Sequence, residues 1–446
     1  MIEVERRNNK LIDFINSEKA RELCRKEGEK TFTRNRKIPY NDILLLSLNK
    51  QGKTTSFEIR DYELKKKGCE NVNYSDEAYL KQRRHLNPEV FKEMNKIYLE
   101  DFYNSKKVKK IEDYLIMAID GSTHEVPNTP TNKAYFGYQK NNESQSSQKA
   151  RAQVSTLYDI NNNFIVDALV DKYKTSEIEL AKKNIENADN IIKDKRKIII
   201  FDRGYPSIEF LMWLEKREIK FVIRFTKTDY KKERSEMKTN DEIVFLEHNK
   251  WRRKNVKKYF PEEYEEFCEK KGTKVRMTII KLDVGNEEYL ISNLDFNEFS
   301  YGELKELYNQ RWKIETVYNT TKYKLKIESF TGNLPQFVYQ DIYAQVVVYN
   351  QMQDMLSVEN EEYIKEQKIK NNKLKYKINE NKAIGIYKEK FIKILLIENQ
   401  EQRTKEYNNF LNELRKYTTA IRLNRPSQPR IINLRSKYRT NFKSCF

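Results

Sequence analysis

The chain has 446 residues, room for about two to four domains and a substantial core. Its 86 Lys and Arg against 67 Asp and Glu leave a formal charge of +19 and a pI near 9.3, which points to a polyanionic partner. An aromatic content of 12% excludes a disordered basic protein, and the wide spacing of Cys24, Cys69, Cys268 and Cys445 and of His85, His124 and His248 excludes local zinc sites and disfavours a serine-histidine hydrolase. The cysteine usage fits a reducing cytoplasm. With a charged start, MIEVERRNNK, and no window that approaches a membrane span, the expectation is a soluble, intracellular protein.

Residues 1–110 read as short helices. Asn41–Leu48 is one, Gly52 breaks it, and Thr55 or Ser56 caps a second that runs to about Lys67. Ser75 with Asp76 and Glu77 caps a third, and Asn87-Pro88 starts a fourth. Basic clusters at Arg34–Lys37 and Lys81–Arg84 suit a small helical DNA-binding domain, and equally an ordinary helical bundle with a wet basic face.

At Tyr114–Asp120 (YLIMAID) the texture changes to a near-continuous apolar run, which reads as a buried strand with a carboxylate at its carboxyl end. After a polar loop at 137–149, Val154–Ile160 and Phe164–Val170 form a hairpin around Asn161-Asn162-Asn163. Thr175 or Ser176 caps a helix to about Ile192. Lys197–Asp202 (KIIIFD) then repeats the first pattern and leads into Arg203-Gly204-Tyr205. Ser207 caps a helix to Arg217, and Ile219–Phe225 is a fifth strand.

Residues 226–299 depart from this rhythm with alternating runs at Val275–Leu282 and Tyr289–Ser292, and read as a β-rich insertion. Its segment Asn249–Tyr259 surrounds Trp251 with Lys250, Arg252, Arg253, Lys254, Lys257 and Lys258. That composition suits a clamp on a nucleic-acid backbone with a base stacked on the indole, or a solvated hairpin tip.

Tyr301–Ile327 reads as one long helix with two stripes. Tyr308, Arg311, Glu315 and Lys322 are three, four and seven residues apart and share one face; Leu307, Ile314, Tyr318 and Leu325 form an apolar stripe beside it. The polar stripe then lies at the edge of the buried surface. There a carboxylate can reach a site built by other elements, and an Arg, a Lys and a phenol suit a phosphate-bearing ligand. A solvated face with intrahelical pairs such as Arg311 with Glu315 is the other reading. Pro335–Met352 is a helix with Val338, Ile342, Val346 and Tyr349 on one face, and 355–395 is helical and mixed in charge. From Arg415 to Phe446 no acidic residue occurs while Arg422, Arg425, Arg430, Arg435, Lys437, Arg439 and Lys443 accumulate, which suits a nucleic-acid arm.

Two strands ending in aspartate and a helix presenting a glutamate supply three carboxylates from separate parts of one α/β core. If Asp120, Asp202 and Glu315 converge, their repulsion calls for cations, and hard oxygen donors favour Mg²⁺ or Mn²⁺. Such ions activate an attacking oxygen and steady a leaving one at phosphorus, so phosphodiester chemistry is the leading reaction class.

Asp120-Gly121-Ser122, Asp202-Arg203-Gly204-Tyr205 and Tyr308-x₂-Arg311-x₃-Glu315-x₆-Lys322 resemble the three signature regions of DDE transposases of the insertion-sequence-four family, the bacterial cut-and-paste group. The resemblance covers roughly residues 110–350. It implies a ribonuclease-H-like catalytic core interrupted by a β-rich insertion, with a helical N-terminal domain and a helical, basic C-terminal region. The expected division is 1–110, 111–225, 226–299, 300–354 and 355–446. It further implies that Asp120, Asp202 and Glu315 hold two Mg²⁺ ions, and that Tyr308, Arg311 and Lys322 grip phosphates beside the scissile bond. Arg203, Arg252 and Arg253 are further candidates for DNA contact, and Trp251 for holding a flipped base. His124 is either within reach of the site or held in a structural hydrogen bond. The partners implied are double-stranded DNA, as transposon ends and target, and a second copy of the chain in a two-ended complex. The activity implied is cleavage at terminal inverted repeats followed by joining of the 3′-OH ends to target DNA. A related nuclease that cuts without joining, and an inactive DNA-binding regulator, are the alternatives.

Overall fold

The computed structural model describes residues 2–34, 37–68, 72–139, 148–193, 195–259, 261, 264–281, 286–369 and 375–421. Asn35 and Arg36 of the first basic cluster, Cys69, most of the polar loop at 137–149, Leu282, residues 370–374, Cys445 and the basic tail from Arg422 onward lie outside the described residues. Six helices come first: α1 Ile2–Ile15, α2 Glu18–Leu23, α3 Tyr40–Leu48, α4 Thr55–Lys67, α5 Asp76–Arg83 and α6 Glu89–Tyr103. Their ends follow local chemistry. Ser75 Oγ accepts from the Ala78 N–H to start α5, and Gly68 ends α4 at a φ of +71°, a conformation that costs glycine little.

The described residues divide into two compact units, one of Leu99–Tyr318 and one of Met1–Tyr98 with Asn319–Phe446. The contacts therefore do not follow the five-part division expected from sequence: the C-terminal helices group with the N-terminal ones, and the Lys322 end of the signature helix goes with them.

The central unit holds one mixed sheet. Its elements are β1 Leu115–Glu125, α7 Pro130–Phe136, β2 Tyr138–Gln139, β3 Lys149–Asp159, β4 Phe164–Lys172, α8 Glu177–Ile192, β5 Lys197–Phe201, α9 Ile208–Lys216 and β6 Lys220–Phe225. They continue with α10 Lys231–Ser235, β7 Asp241–Glu247, α11 Lys250–Tyr259, α12 Tyr264–Glu269, β8 Gly272–Lys281, β9 Glu287–Ser292, α13 Tyr301–Asn309 and α14 Trp312–Asn319. The strand order is β4-β3-β1-β5-β6-β9-β8-β7, with β2 on the start of β3. The pairs β1/β5 and β5/β6 are parallel and the others antiparallel. The parallel strands are the ones whose sequences are continuously apolar: Leu115–Ile119 and Ile198–Phe201 are fully buried, as expected of strands covered on both faces.

Three expectations are corrected here. First, β1 does not end at Asp120; it continues to Glu125, because Gly121–Glu125 pair antiparallel with Arg151–Ser155 of β3 after the parallel pairing with β5 has stopped at Ile119. Second, the β-rich stretch 226–299 does not carry its basic run on a hairpin tip. Its strands β9, β8 and β7 extend the core sheet from β6, and α10, α11 and α12 lie between them. The Trp251 segment is helix α11, not a hairpin tip. Third, Tyr301–Ile327 is not one helix. A tight turn at Gln310–Arg311, held by bonds from Gln310 N–H to Leu307 O, Arg311 N–H to Tyr308 O and Ile314 N–H to Arg311 O, separates α13 from α14, and a π-helical turn follows at Thr320–Lys324.

The discontinuous unit adds α15 Pro335–Ile369, β10 Tyr376–Ile378, α16 Glu380–Leu395, α17 Gln400–Arg415 and β11 Thr418–Ala420. Helix α15 runs well past the Met352 expected from sequence. It buries Val338, Ile342, Val346 and Tyr349 as anticipated, but also a polar stripe of Gln340, Asp341, Gln345, Asn350, Gln351 and Asp354. That stripe is satisfied largely by the first helices. Arg7 makes a two-pronged bond to Asp354, at 2.7 and 2.9 Å, and Tyr98 donates to the same carboxylate at 2.8 Å. Asp341 pairs with Arg83 and with Lys50, the latter at 3.2 Å, and accepts from Thr331 N–H at 2.7 Å. Lys388 of α16 donates to Lys50 O at 2.7 Å and to Gln345 at 2.9 Å. Among the described residues no helix is long and apolar enough to cross a membrane.

Candidate functional site

The register of the parallel strands places the two aspartates. The last β1/β5 pair is Ile119 with Phe201, and Asp120 and Asp202 follow at once on adjacent strands. They therefore leave the carboxyl edge of the sheet side by side. Asp120 is fixed through its backbone, whose carbonyl accepts from Tyr318 Oη at 2.6 Å, while its Oδ1 accepts from Gly121 N–H at 2.9 Å. Burial pushes its carboxyl up to about 7; Arg311 and the Gly121 N–H pull against this, and the charges of Asp202 and Glu177 add to it.

Arg311 is the hub. The turn between α13 and α14 buries it to 2% exposure. From there Nη1 lies 3.7 Å from Asp202 Oδ2, and Nη2 donates to Glu315 Oε1 at 3.0 Å. Burial works against its charge and is outweighed by Tyr308, Asp202 and Glu315, which hold it protonated. Arg224 of β6 adds a second cation, 3.9 Å from Asp202 Oδ1 and 3.5 Å from Glu288. Tyr308 is also interior, at 1% exposure, and burial raises its phenol. The stripe read as a surface edge is thus mostly buried; of its members in this unit only Glu315 is substantially exposed.

The structure brings Asp120, Asp202, Tyr308, Arg311 and Glu315 into one neighbourhood. Lys322 lies on the π-helical turn, in the other unit, with Nζ 3.9 Å from Glu328. Arg203 is exposed beside Asp202. On α11, Trp251 is 70% exposed, whereas Arg252 bonds Glu233 at 2.9 Å and Arg253 bonds the His248 carbonyl at 3.2 Å. Those two arginines are engaged by their own neighbourhood, and the indole is the open group. His124 is buried on β1 opposite Ala152.

Three participants carried no signal that the sequence reading used: Tyr318, counted there as apolar stripe; Arg224; and Glu177, which burial and the charge of Asp202 push to a raised pKa. The glycines that follow both aspartates were the available clue.

Among the described residues no group of three or more His, Cys, Asp or Glu side chains stands close enough to hold a metal ion as placed. The chemistry of the donors nonetheless suits a hard divalent cation. Asp202 Oδ1 is buried without a hydrogen bond, Asp202 and Glu177 both push the Asp120 carboxyl up by repulsion, and Asp202 does the same to Glu177. Arg311 supplies the positive charge between Asp202 and Glu315.

This sheet edge, with its aspartates on neighbouring strands and a glutamate helix beside them, lies within the stretch that matches a known family: the family described as "Transposase DDE domain" matches residues 111–351, more than half of the chain. The chain belongs to the DDE transposases and is of the insertion-sequence-four type. It is similar to the transposase InsG for insertion sequence element IS4 of Escherichia coli strain K12, 25% identical over 240 residues, covering 53% of this chain and 50% of the relative. The match thus spans about half the length of that curated relative. Among solved structures, a piggyBac transposase synaptic complex with hairpin DNA aligns at a TM-score of 0.42 and 10% identity over 90% of this chain and 82% of that one, a likeness too loose to argue from.

Proposed function

We propose that the protein is a cut-and-paste transposase with a ribonuclease-H-like core. It binds the terminal inverted repeats of a DNA element, cleaves at the ends and joins the 3′-OH ends to target DNA, acting on DNA as a homodimer in the bacterial nucleoid. The observation that carries this reading is the placement of Asp120 and Asp202 directly after the last parallel pair of β1 and β5, with Arg311 joining Asp202 to Glu315. The order β4-β3-β1-β5-β6, with β1 and β5 parallel, supports the ribonuclease-H-like assignment.

Asp120, Asp202 and Glu315 would hold two Mg²⁺ ions, for which Mn²⁺ substitutes. Bound there, the ions supply Lewis acidity to the scissile phosphate and to the attacking and leaving oxygens. The remaining work is done by the chain. Tyr318 holds the Asp120 backbone in place. Arg311 balances the charges of Asp202 and Glu315, and its planar guanidinium would suit a phosphate of the bound strand. Trp251, exposed on α11, offers a stacking surface for a displaced base, and Lys322 and Arg203 add phosphate contacts.

The test is cleavage of a labelled duplex carrying the element's end, with Mg²⁺ and with EDTA, for wild type and Glu315→Gln, followed by incubation of pre-cleaved ends with a target plasmid. Metal-dependent cutting that is lost in the variant, with end binding retained, and joined product in the second assay are expected. Robust cutting without joined product would reduce the protein to a nuclease; specific binding without any cutting would make it a regulator.

A further inference from the structure

Glu177, the first residue of α8, lies between the two glycines that follow the aspartates. A Cβ built on Gly121 would stand 2.6 Å from Gln153 Nε2 and 3.0 Å from Glu177 Oε1, and one built on Gly204 would stand 2.6 Å from Glu177 Oε2. The carboxylate therefore lies beside β1 at Gly121 and beside the loop after β5 at Gly204, and at Gly204 any side chain larger than hydrogen would displace it. Glu177 is half-buried, and it makes no hydrogen bond or ion pair with the described residues. Arg311 serves Asp202 and Glu315, so it leaves this fourth carboxylate without a bonded cation. Such an arrangement is costly unless a further positive charge enters.

A second observation points the same way. Tyr205, next after Gly204, is 1% exposed, and its hydroxyl has no hydrogen-bond partner. It lies within the electrostatic reach of Glu177, Asp120 and Asp202, so a buried donor without a bond stands near anionic acceptors that it does not touch. A hydrated cation among the carboxylates brings the oxygen that this donor lacks.

We propose that Glu177 is a fourth carboxylate of the active site, holding the same divalent cations as Asp120, Asp202 and Glu315 from the amino end of α8. The inference rests on the metal-dependent reading above and adds a ligand that the three signature regions do not contain. Gly204 then has a defined purpose, which is to admit the Glu177 carboxylate to the cleft.

The experiment uses the full chain without DNA, titrated with Mn²⁺ in a calorimeter, with circular dichroism melting as a check on folding. Glu177→Gln is expected to weaken Mn²⁺ binding by roughly 10-fold or more, the scale found when groups supporting a metal are removed. Gly204→Ala, whose methyl would push Oε2 aside, should reproduce the loss with Glu177 intact. Glu179→Gln, exposed on the same helix, should bind as wild type. Cleavage by Glu177→Gln should in turn require more Mg²⁺. If Asp202→Asn weakens binding while Glu177→Gln and Gly204→Ala do not, Glu177 is structural and the inference is overturned. If Asp202→Asn also binds as wild type, the metal-site reading itself falls and this inference falls with it. Should Glu177→Gln fail to fold, Gly204→Ala decides alone.

Discussion

Tyr318→Phe removes one hydroxyl, which is bonded to the backbone of a proposed catalytic aspartate and also engages Thr156 of β3. Tyr318 Oη lies 2.6 Å from the Asp120 carbonyl. Loss of a buried hydrogen bond of this kind costs about 0.5–1.5 kcal/mol, since the carbonyl keeps a second lone pair for the sheet ladder. At about 2–4 °C per kcal/mol for a unit of this size, the melting temperature should fall by roughly 1–6 °C. The effect on catalysis should exceed the effect on stability. Asp120 sits where the β1/β5 pairing has already ended and its strand partner is Thr156 of β3, so the tyrosine adds a restraint there. Displacement of a reacting group by about 1 Å costs up to ~100-fold in rate, so a partial loosening should cost about 10-fold. Differential scanning fluorimetry and single-turnover cleavage of an end duplex measure the two effects. A variant that melts lower but cuts at the wild-type rate would show that β1 alone positions Asp120, and an unchanged variant would refute the hydrogen bond.

Asp341→Ala should destabilise the discontinuous unit by about 3–5 kcal/mol, because it strands Arg83 and Lys50, each at most 2% exposed, without their shared anion. Urea unfolding followed by circular dichroism checks this, and a loss under about 1 kcal/mol would contradict a buried ion pair. Lys388 gives the pH dependence. Burial, then repulsion from Lys50, lowers its pKa to about 7 in the folded chain. Between that value and its ordinary one the unfolded chain holds a proton that the folded chain does not, so stability should rise with pH above 7; Lys388→Met should flatten the rise in unfolding midpoints measured from pH 7 to 9. Trp251→Ala should leave the melting temperature unchanged, as befits a residue 70% exposed. If the indole stacks on a base, end binding by fluorescence anisotropy should weaken by about 1–3 kcal/mol, and equal affinity would end its candidacy.

What the sequence disclosed, and what it did not, follows from where the determining contacts lie. KIIIF and LIMAI announce themselves as buried parallel strands because both of their faces are covered, and the aspartates at their ends were visible for the same reason. The continuation of β1 through Gly-Ser-Thr-His was not visible. Those residues are strand only because β3, some thirty positions later, supplies the other half of the ladder. The break at Arg311 was equally hidden. Offsets of three and four suit an unbroken helix and a tightened turn alike, and the difference arises from burying a guanidinium between Asp202 and Glu315. Glu177 was absorbed into the reading of a helix cap, although Ser176 makes no side-chain capping bond. The grouping of the chain's two ends could not be read from periodicity, because α15 presents a polar stripe whose partners, Arg7, Asn8, Lys50, Arg83 and Asn95, come from far upstream.

That distance governs the order in which the protein can be made. Arg7 and Asp354 are 347 residues apart. At a synthesis rate of about 5–20 residues per second, Arg7 waits roughly 17–70 s for the helix that carries its counter-ion. During that interval the central sheet can complete itself, while the leading helices have emerged with their acidic and amide partners still untranslated. A nascent chain arrested before α15 therefore exposes those helices to chaperones and proteases, and this unit cannot finish folding until α15 has been made.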